Sequence, residues 1–315
     1  MNQYYMGIDI GGTTIKFGVF TSRGELVEKW AVSTNMQDNG KHIIPDIYQE
    51  VLSFSNKQGR VRAIGMGIPG PVSQDGYVEK CVNLGWCNSN PAKELAALLQ
   101  DIPVAAGNDA NVAALGECYY GAGKGHENIF MVTLGTGVGG GAVINGRIVN
   151  GFQGLSGEIG HIPVNSRETE QCNCGNRGCL DQIASASGIV RYTKKLLQDP
   201  SKKSLLRECK SLTSAAVSAA AVCGDPLASE ALEWCMEYLG KSLSIVSHII
   251  DPELFIIGGG VSKAGPMLIP MIRRGYDKNI FLKKSAADIC LASLGGDGGI
   301  YGAAKLGMQE CGNIP

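Results

Sequence analysis

The sequence has no excess of either charge and no apolar run long enough to cross a bilayer. Its 315 residues include 28 Lys and Arg against 29 Asp and Glu, a net charge of −1. A near-neutral balance gives no electrostatic reason for binding nucleic acid or an anionic membrane. No stretch reaches the roughly 18 uninterrupted apolar residues that span a bilayer. We therefore expect neither nucleic acid nor a membrane as a partner.

A secretion signal is also missing from the first residues. The segment MNQYYMGIDIGG has no basic region, no long apolar run and no small-residue cleavage site. Without such a signal, the eleven cysteines fit reduced thiols and metal ligands better than a disulfide framework. The sequence therefore favours a cytoplasmic location.

Glycine is the residue type in excess, and it marks a strand–turn–strand pattern that occurs twice. Residues 5–20 and 129–144 both alternate glycines with β-branched and aromatic residues. When the two are overlaid, Gly11 falls on Gly135 and Phe20 on Ile144 at one constant offset. This indicates a duplicated unit, although any two glycine-rich hairpins can be overlaid. Strands that alternate with helices predict an α/β fold, and the length suits two domains.

Two short stretches have the composition of phosphate-binding turns. Asp9 ends an expected strand, and Gly11-Gly12-Thr13-Thr14 follows, so that backbone N–H groups and hydroxyls can approach phosphate oxygens. Gly135-Thr136-Gly137-Val138-Gly139 repeats the design without the acid. Two such turns facing each other across a cleft would clamp a triphosphate, and Asp9 would hold Mg²⁺ directly or through water. Two ordinary tight turns are the alternative.

The glycine spacing does not predict a dinucleotide-binding fold or a P-loop. Gly65–Gly70 and Gly135–Gly140 both fit the pattern G-x-G-x-x-G. A dinucleotide fold needs a helix directly after that loop, whereas Pro71 follows the first stretch and an expected strand follows the second. The pattern G-x-x-x-x-G-K-[ST] does not occur in the chain.

The segment Ala106–Asn111 predicts the start of a helix. Asn108 and Asp109 are both favoured N-cap residue types. If Asn108 caps the helix, Asp109 lies in the first turn, at the positive end of the helix dipole. An acid in that place can orient an acceptor hydroxyl in phosphoryl transfer and take its proton late. The capping role and the catalytic role can hold together.

His161, Cys172, Cys174 and Cys179 are candidate ligands of a structural zinc ion. Three thiolates and one imidazole suit a closed tetrahedral site, and the C-x-C-x₄-C spacing lies beside glycines that allow tight turns. Chance clustering is the alternative in a cysteine-rich chain. Glu158 stands three residues before His161, which predicts that the two side chains share one face. Zinc would fix the imidazole of His161 and leave its other ring nitrogen for a substrate. For Glu158, the alternative is that it is only a solvated acid.

Together these residues resemble the ROK family, named for repressors, open reading frames and kinases, within the group of sugar kinases, actin and heat-shock chaperone ATPases. The resemblance covers nearly the whole chain. It rests on the segments Asp9–Thr13, Gly67–Gly70, Asn83–Trp86, Asn108–Asn111, Thr136–Gly140, Glu158–His161 and Cys172–Leu180.

The resemblance implies an α/β fold of two related, actin-like domains with a cleft between them. The first would comprise residues 1–118 and a returning C-terminal helix at about 297–315. The second would comprise residues 119–296 and carry the zinc-binding loop.

The resemblance also implies a role for each site residue. Asp109 would be the general base. The sugar would contact Gly70, Asn83, Asn108, Asp109, Glu158, His161 and Asp181. ATP, with Mg²⁺, would contact Asp9, Gly11, Gly12, Thr13, Thr14, Lys16, Thr136, Gly137, Val138, Gly139, Gly259 and Gly260. Asp181 replaces the family's usual Glu, so its carboxylate is one methylene shorter.

Within the family, the segments Asn83–Trp86 and Ala184–Arg191 look most like bacterial glucokinases, which transfer phosphate from ATP to glucose. N-acetylmannosamine kinases and fructokinases share most of the site. The family's repressors carry an N-terminal helix-turn-helix of several dozen residues, for which a first strand near Tyr5 leaves no room. The same resemblance implies a homodimer.

Overall fold

Strand β1 (Gln3–Ile10) is buried along nearly its whole length, as expected for a central strand covered on both faces. The computed structural model of this chain describes residues 3–100, 102–282 and 286–312, and β1 is its first element. Alternate residues of β1 belong to different apolar clusters. Tyr4, Met6 and Ile8 lie in one cluster, and Tyr5 lies in another. This period of two shows that the strand separates two cores.

The described chain contains twelve strands and ten α-helices. The first half runs through β1, β2 (Thr14–Phe20), β3 (Leu26–Ser33), α1 (Gln37–Gly40), α2 (Ile43–Lys57), β4 (Arg60–Ile68), β5 (Val78–Cys81), β6 (Trp86–Ser89), α3 (Pro91–Leu99), β7 (Val104–Asn108), α4 (Asp109–Tyr120) and β8 (Ile129–Leu134). The second half runs through β9 (Val138–Ile144), β10 (Arg147–Ile148), α5 (Asp181–Ala184), α6 (Ala186–Leu197), α7 (Ser214–Val222), α8 (Pro226–Ile250), β11 (Leu254–Gly258), α9 (Leu268–Asn279), β12 (Asp288–Leu291) and α10 (Gly298–Glu310).

Two five-stranded sheets have the same order of strands. The first is β3-β2-β1-β4-β7 and the second is β10-β9-β8-β11-β12. In the first, β1 pairs antiparallel with β2 and parallel with β4. In the second, β8 pairs parallel with β11, and β11 pairs parallel with β12. The α/β class predicted from the sequence is confirmed.

The offset found in the sequence also relates the ends of the strands. Strands β1 and β8 end at positions 10 and 134, and β2 and β9 span positions 14–20 and 138–144. Position by position, the first hairpin therefore maps onto the second without insertion. This equivalence of strand order and strand ends supports the duplication over a chance overlay of two glycine-rich turns.

The described residues divide into two compact units. The first contains the chain up to Glu127, the segment Gly141–Gly157 and the chain from Ser293 onward. The second contains Asn128–Gly140 and Glu158–Ala292. The division at residue 118 stays a prediction, and residues 313–315 of the predicted returning helix lie outside the described residues. Among the described residues, no helix has both the length and the hydropathy needed to cross a bilayer.

Helix α10 packs on the first sheet through glycines. A β-carbon on Gly7 of β1 would lie 1.9 Å from the Ile300 carbonyl oxygen, and one on Gly65 of β4 would lie 1.8 Å from that of Ala303. On the other side, a β-carbon on Gly302 of α10 would lie 1.7 Å from the Val112 carbonyl oxygen in α4. Because these neighbours are backbone atoms, only glycine permits this spacing.

We expect Gly302→Ala to lower the free energy of unfolding by about 3 kcal/mol, because the added methyl forces α10 and α4 apart. Gly298→Ala is the matched control in the same helix, since a β-carbon there would meet its nearest atom at 3.8 Å, an ordinary contact. Urea denaturation of both variants measures the difference. Equal stability of the two variants would contradict the glycine-dependent packing.

Candidate active site

Asp9 lies near the carboxyl end of β1, on the sheet face that α10 covers. Its carboxyl group packs against the backbone of Gly299, where a β-carbon would approach Asp9 Cγ to 2.6 Å. Lys16 Nζ lies 3.7 Å from Asp9 Oδ2 and donates a hydrogen bond of 2.8 Å to the Gly296 carbonyl. Burial raises the pKa of the Asp9 carboxyl, and the Lys16 ammonium opposes that shift.

The first glycine loop is closed by backbone hydrogen bonds and leaves its hydroxyls exposed. The N–H of Gly11 donates to the Thr14 carbonyl at 3.0 Å. Thr34, after β3, donates from Oγ1 to the Gly11 carbonyl at 2.6 Å. Thr13 and Thr14 are exposed, and Gly12 lies against the Asn83 carbonyl. The loop therefore presents two threonine side chains to solvent beside Asp9.

Asn108, one of the two N-cap candidates in the sequence, caps helix α4, and Asp109 is the first helical residue. Asn108 Oδ1 accepts hydrogen bonds from the N–H groups of Ala110 and Asn111 at 3.0 and 3.1 Å. Asn108 Nδ2 donates to the Gly70 carbonyl at 2.9 Å and to Asp109 Oδ1 at 3.1 Å. The carboxylate of Asp109, half-buried, is therefore oriented by the cap itself and by the N–H of Ala110 at 2.8 Å.

The segment Asn83–Trp86 places its side chains in alternating environments. Leu84 and Trp86 are buried in the first core, and Trp86 Nε1 donates to the Gly40 carbonyl at 3.1 Å. Asn83, directly before Leu84, is exposed. The apolar residues thus anchor the loop, and the amide of Asn83 remains accessible to a ligand.

The second glycine loop, in the second unit, is held by Asp181. The N–H of Val138 donates to Asp181 Oδ1 at 2.6 Å, and a β-carbon on Gly137 would lie 2.8 Å from the same oxygen. The turn is closed from Gly135 N–H to the Gly137 carbonyl at 2.9 Å. The carbonyl of Gly135 accepts from Ala186 N–H, at the start of α6. The Asp181 carboxylate predicted to contact the sugar thus binds the loop predicted to contact ATP.

Glu158 directly precedes a short 3₁₀ turn, Ile159–His161, of which His161 is the last residue. The N–H of His161 donates to the Glu158 carbonyl at 3.2 Å, and both side chains are exposed. Because the turn is of 3₁₀ type and begins after Glu158, the shared helix face expected from the spacing stays a prediction. Gly160 packs on the second loop, since a β-carbon there would lie 2.2 Å from the Val138 carbonyl oxygen.

The glycines after β11 differ in their surroundings. Gly259 has φ +87° and passes so close to Leu134 that a β-carbon would lie 2.4 Å from its carbonyl oxygen. A β-carbon on Gly260 would meet no heavy atom of the described residues within 4 Å. Packing therefore requires glycine at position 259 and leaves open space at position 260.

His161, Cys172, Cys174 and Cys179 lie together as a group that could hold a metal ion. Their ligand atoms are all within 4.8 Å of one another. Cys172 Sγ lies 4.0 Å from His161 Nδ1, and Cys174 Sγ lies 3.6 Å from Cys179 Sγ. A tetrahedral site with metal–sulfur bonds of about 2.3 Å separates its sulfurs by about 3.8 Å. The donor set and its spacing therefore fit one tetrahedral cation, with His161 Nε2 on the far side of the ring.

Comparisons with known proteins identify the family of this chain. A sequence profile of the ROK family matches residues 5–310. The chain belongs to the ROK family. It is 39% identical to a glucokinase of Halalkalibacterium halodurans, over 98% of this chain and 96% of that one.

Two solved ROK structures are similar to this one. A Streptomyces griseus ROK glucokinase in complex with glucose and AMPPNP is 33% identical, with a TM-score of 0.77 over 97% of this chain and 99% of that one. A Thermus thermophilus ROK hexokinase is 28% identical, with a TM-score of 0.84 over 99% and 100%. The actin-like sugar-kinase fold expected for a ROK chain is confirmed.

The sequence did not reveal the third glycine-rich segment of this ROK chain, Ser293–Gly299. It carries the Gly296 carbonyl that binds Lys16, and the carboxylate of Asp297, which accepts from Lys29 Nζ at 2.6 Å. The run SLGGDGG was its only signal. A glycine run of this kind does not indicate, without coordinates, that it lies beside Asp9.

We expect Asp181→Ala to weaken nucleotide binding about tenfold, because the Val138 N–H loses an acceptor worth roughly 1.5 kcal/mol. Asp181→Asn keeps an acceptor oxygen in place and should lose less. Titration calorimetry with an ATP analogue, and separately with the sugar, measures both effects. A loss confined to sugar binding would instead support the contact that the family resemblance implies.

Proposed function

We propose that this chain is an ATP-dependent sugar kinase that converts glucose to glucose 6-phosphate. The observation that carries the proposal is the carboxylate of Asp109, oriented at the start of α4 by the Asn108 cap, in a ROK chain similar over nearly its full length to a glucokinase. A half-buried acid with a fixed orientation suits the deprotonation of an acceptor hydroxyl.

In this reaction, Asp109 orients the hydroxyl on carbon 6 of the sugar and accepts its proton. The sugar oxygen forms a bond to the γ-phosphorus of ATP, and the bond between that phosphorus and the β,γ-bridging oxygen breaks to release ADP. Because the transition state of phosphoryl transfer is loose, positioning and charge stabilisation contribute most of the catalysis. A weakly basic carboxylate is adequate for that role.

The two glycine loops supply the phosphate contacts in this proposal. In the first unit these contacts are Gly11, Gly12, Thr13 and Thr14, with Lys16 beside the loop, and in the second unit they are Thr136, Gly137, Val138 and Gly139. Gly259 and Gly260, after β11, would lie near the adenosine of ATP. When bound, Mg²⁺ neutralises charge on the phosphates. Asp9 would hold it, since carboxylate oxygens are the ligands it prefers and since a cation would offset the burial that raises the pKa of this carboxyl.

The sugar ligands proposed in the first unit are Gly70, Asn83 and Asn108, and those in the second unit are Glu158, His161 and Asp181. Zinc is the metal proposed for His161 and the three cysteines, because three thiolates and an imidazole are a typical closed zinc site. Bound through Nδ1, His161 would keep Nε2 for a sugar hydroxyl. The two-domain division, a homodimer and a cytoplasmic location are further proposals that rest on the family resemblance and on sequence composition.

We expect ADP release to be fastest with glucose in a coupled assay that also includes fructose, mannose, N-acetylmannosamine and N-acetylglucosamine. N-acetylmannosamine kinase and fructokinase are the competing activities, so a larger kcat/KM for either of those sugars would replace glucose in the proposal. Absence of turnover with every sugar would favour a sugar sensor over an enzyme.

Asp109→Asn, tested in the same assay, should reduce kcat by about 10²–10⁴, the range for loss of a general base. Asp75→Asn is its control: Asp75 is an exposed acid of the first unit that pairs with Lys93 at 3.1 Å, and its loss should leave kcat unchanged.

We expect about one zinc per chain in freshly purified protein, measured by elemental analysis. Cys174→Ser should lower the zinc content because it removes one thiolate ligand. Cys223→Ser, which changes another exposed cysteine of the same unit, should leave it unchanged. Zinc-free wild-type protein, or equal zinc in the two variants, would contradict the assignment.

A further inference from the structure

Glu117 is a fully buried carboxylate in the third turn of α4, the helix that begins at Asp109. Its Oε1 accepts from the N–H groups of Ser293 and Leu294 at 3.0 and 2.8 Å. Its Oε2 accepts from Ala122 N–H at 2.9 Å, and from the N–H and Oγ of Ser293 at 3.1 and 3.3 Å. Both oxygens are therefore used, and one buried side chain binds a segment more than 170 residues away.

The backbone has adapted to this carboxylate at Gly121. A β-carbon on Gly121 would lie 2.0 Å from Glu117 Oε2. Taking a carboxylate out of water is costly unless hydrogen bonds replace its hydration, and here the replacing donors are neutral N–H and O–H groups. An apolar residue of similar volume would avoid this cost. The presence of a carboxylate here therefore indicates that its role is to fix the bound segment in one place.

The segment that Glu117 holds is the third glycine-rich segment, Ser293–Gly299. Two residues beyond Leu294, the Gly296 carbonyl accepts from Lys16 Nζ at 2.8 Å. Three residues beyond that, the backbone of Gly299 packs on the Asp9 carboxyl group. Glu117 thus connects, through a single short segment, to both charged side chains beside the first glycine loop.

We propose that Glu117 is a positioning residue for the nucleotide: it fixes the Ser293–Gly299 segment, and through the Gly296 carbonyl fixes the Lys16 ammonium beside Asp9. The proposal rests on the proposed function, in which Asp9 and Lys16 bind Mg²⁺ and ATP phosphates. Helix α4 then has two roles: its start orients Asp109, and Glu117 in its third turn orients Lys16. Neither glycine loop supplies the second role.

The proposal requires two acceptor oxygens at position 117. Glutamine has the same shape but replaces one oxygen by an NH₂ group, which would place a hydrogen-bond donor against a backbone N–H donor. Glu117→Gln should therefore release one side of the segment with little change in volume. Ser293→Ala is the matched control, because it removes only the hydroxyl contact at 3.3 Å and keeps both backbone donors.

The test is titration calorimetry of the full chain with MgADP and with MgATP, in the absence of sugar, together with thermal unfolding. We expect Glu117→Gln to raise the Kd of both nucleotides about tenfold at temperatures where the variant is folded. The Kd of glucose should stay within about twofold, and Ser293→Ala should bind nucleotide as the wild type does. In a Lys16→Met background, Glu117→Gln should cause no further loss, because both changes act through one contact.

A lower unfolding temperature with unchanged nucleotide Kd would show that Glu117 is only structural and would overturn the proposal. So would full additivity of Glu117→Gln and Lys16→Met. If Glu117→Gln does not fold, Glu117→Asp, which keeps two oxygens one methylene back, is held to the same outcomes. Wild-type chain that binds MgATP but phosphorylates no sugar would refute the proposed function alone, and nucleotide binding would still decide the role of Glu117.

Discussion

The close contact of α10 with the first sheet and with α4 is the constraint on which the first unit depends. Gly7, Gly65 and Gly302 bring backbone against backbone, at separations that no side chain allows. Because α10 lies that close, its N-terminal Gly299 reaches the Asp9 carboxyl, and the segment before it reaches Lys16. The packing of glycines thus determines the surroundings of Asp9 and Lys16, although α10 and these two residues lie at opposite ends of the sequence.

Carboxylates hold the glycine-rich segments in both units. In the first unit, Glu117 accepts from the backbone of Ser293 and Leu294. In the second, Asp181 accepts from Val138. Glycine-rich segments lose much conformational entropy when they become ordered, so a fixed acceptor for their N–H groups offsets part of that cost. In each case the acid is supplied by a helix or helix start, which is rigid relative to the segment it binds.

Much of the fold was predictable because it depends on local patterns. The glycines and β-branched residues of 5–20 and 129–144 predicted the two hairpins, and the amide and acid at positions 108 and 109 predicted the start of α4. The strands β5, β6 and β12 were not predicted, since each has four residues. Four residues are too few for a period of two to stand out from chance.

The sequence by itself determined the family, the α/β class, the two glycine-rich loops, the start of α4 and the group of one histidine and three cysteines. These depend on residues close together in the chain, or on motifs whose spacing is diagnostic. Only the tertiary structure decided that Asp181 binds the second glycine loop and that Glu117 reaches a third glycine segment beside Asp9. Such contacts join residues tens to hundreds of positions apart, and their partners are backbone N–H groups, which every residue but proline carries and no sequence pattern can mark.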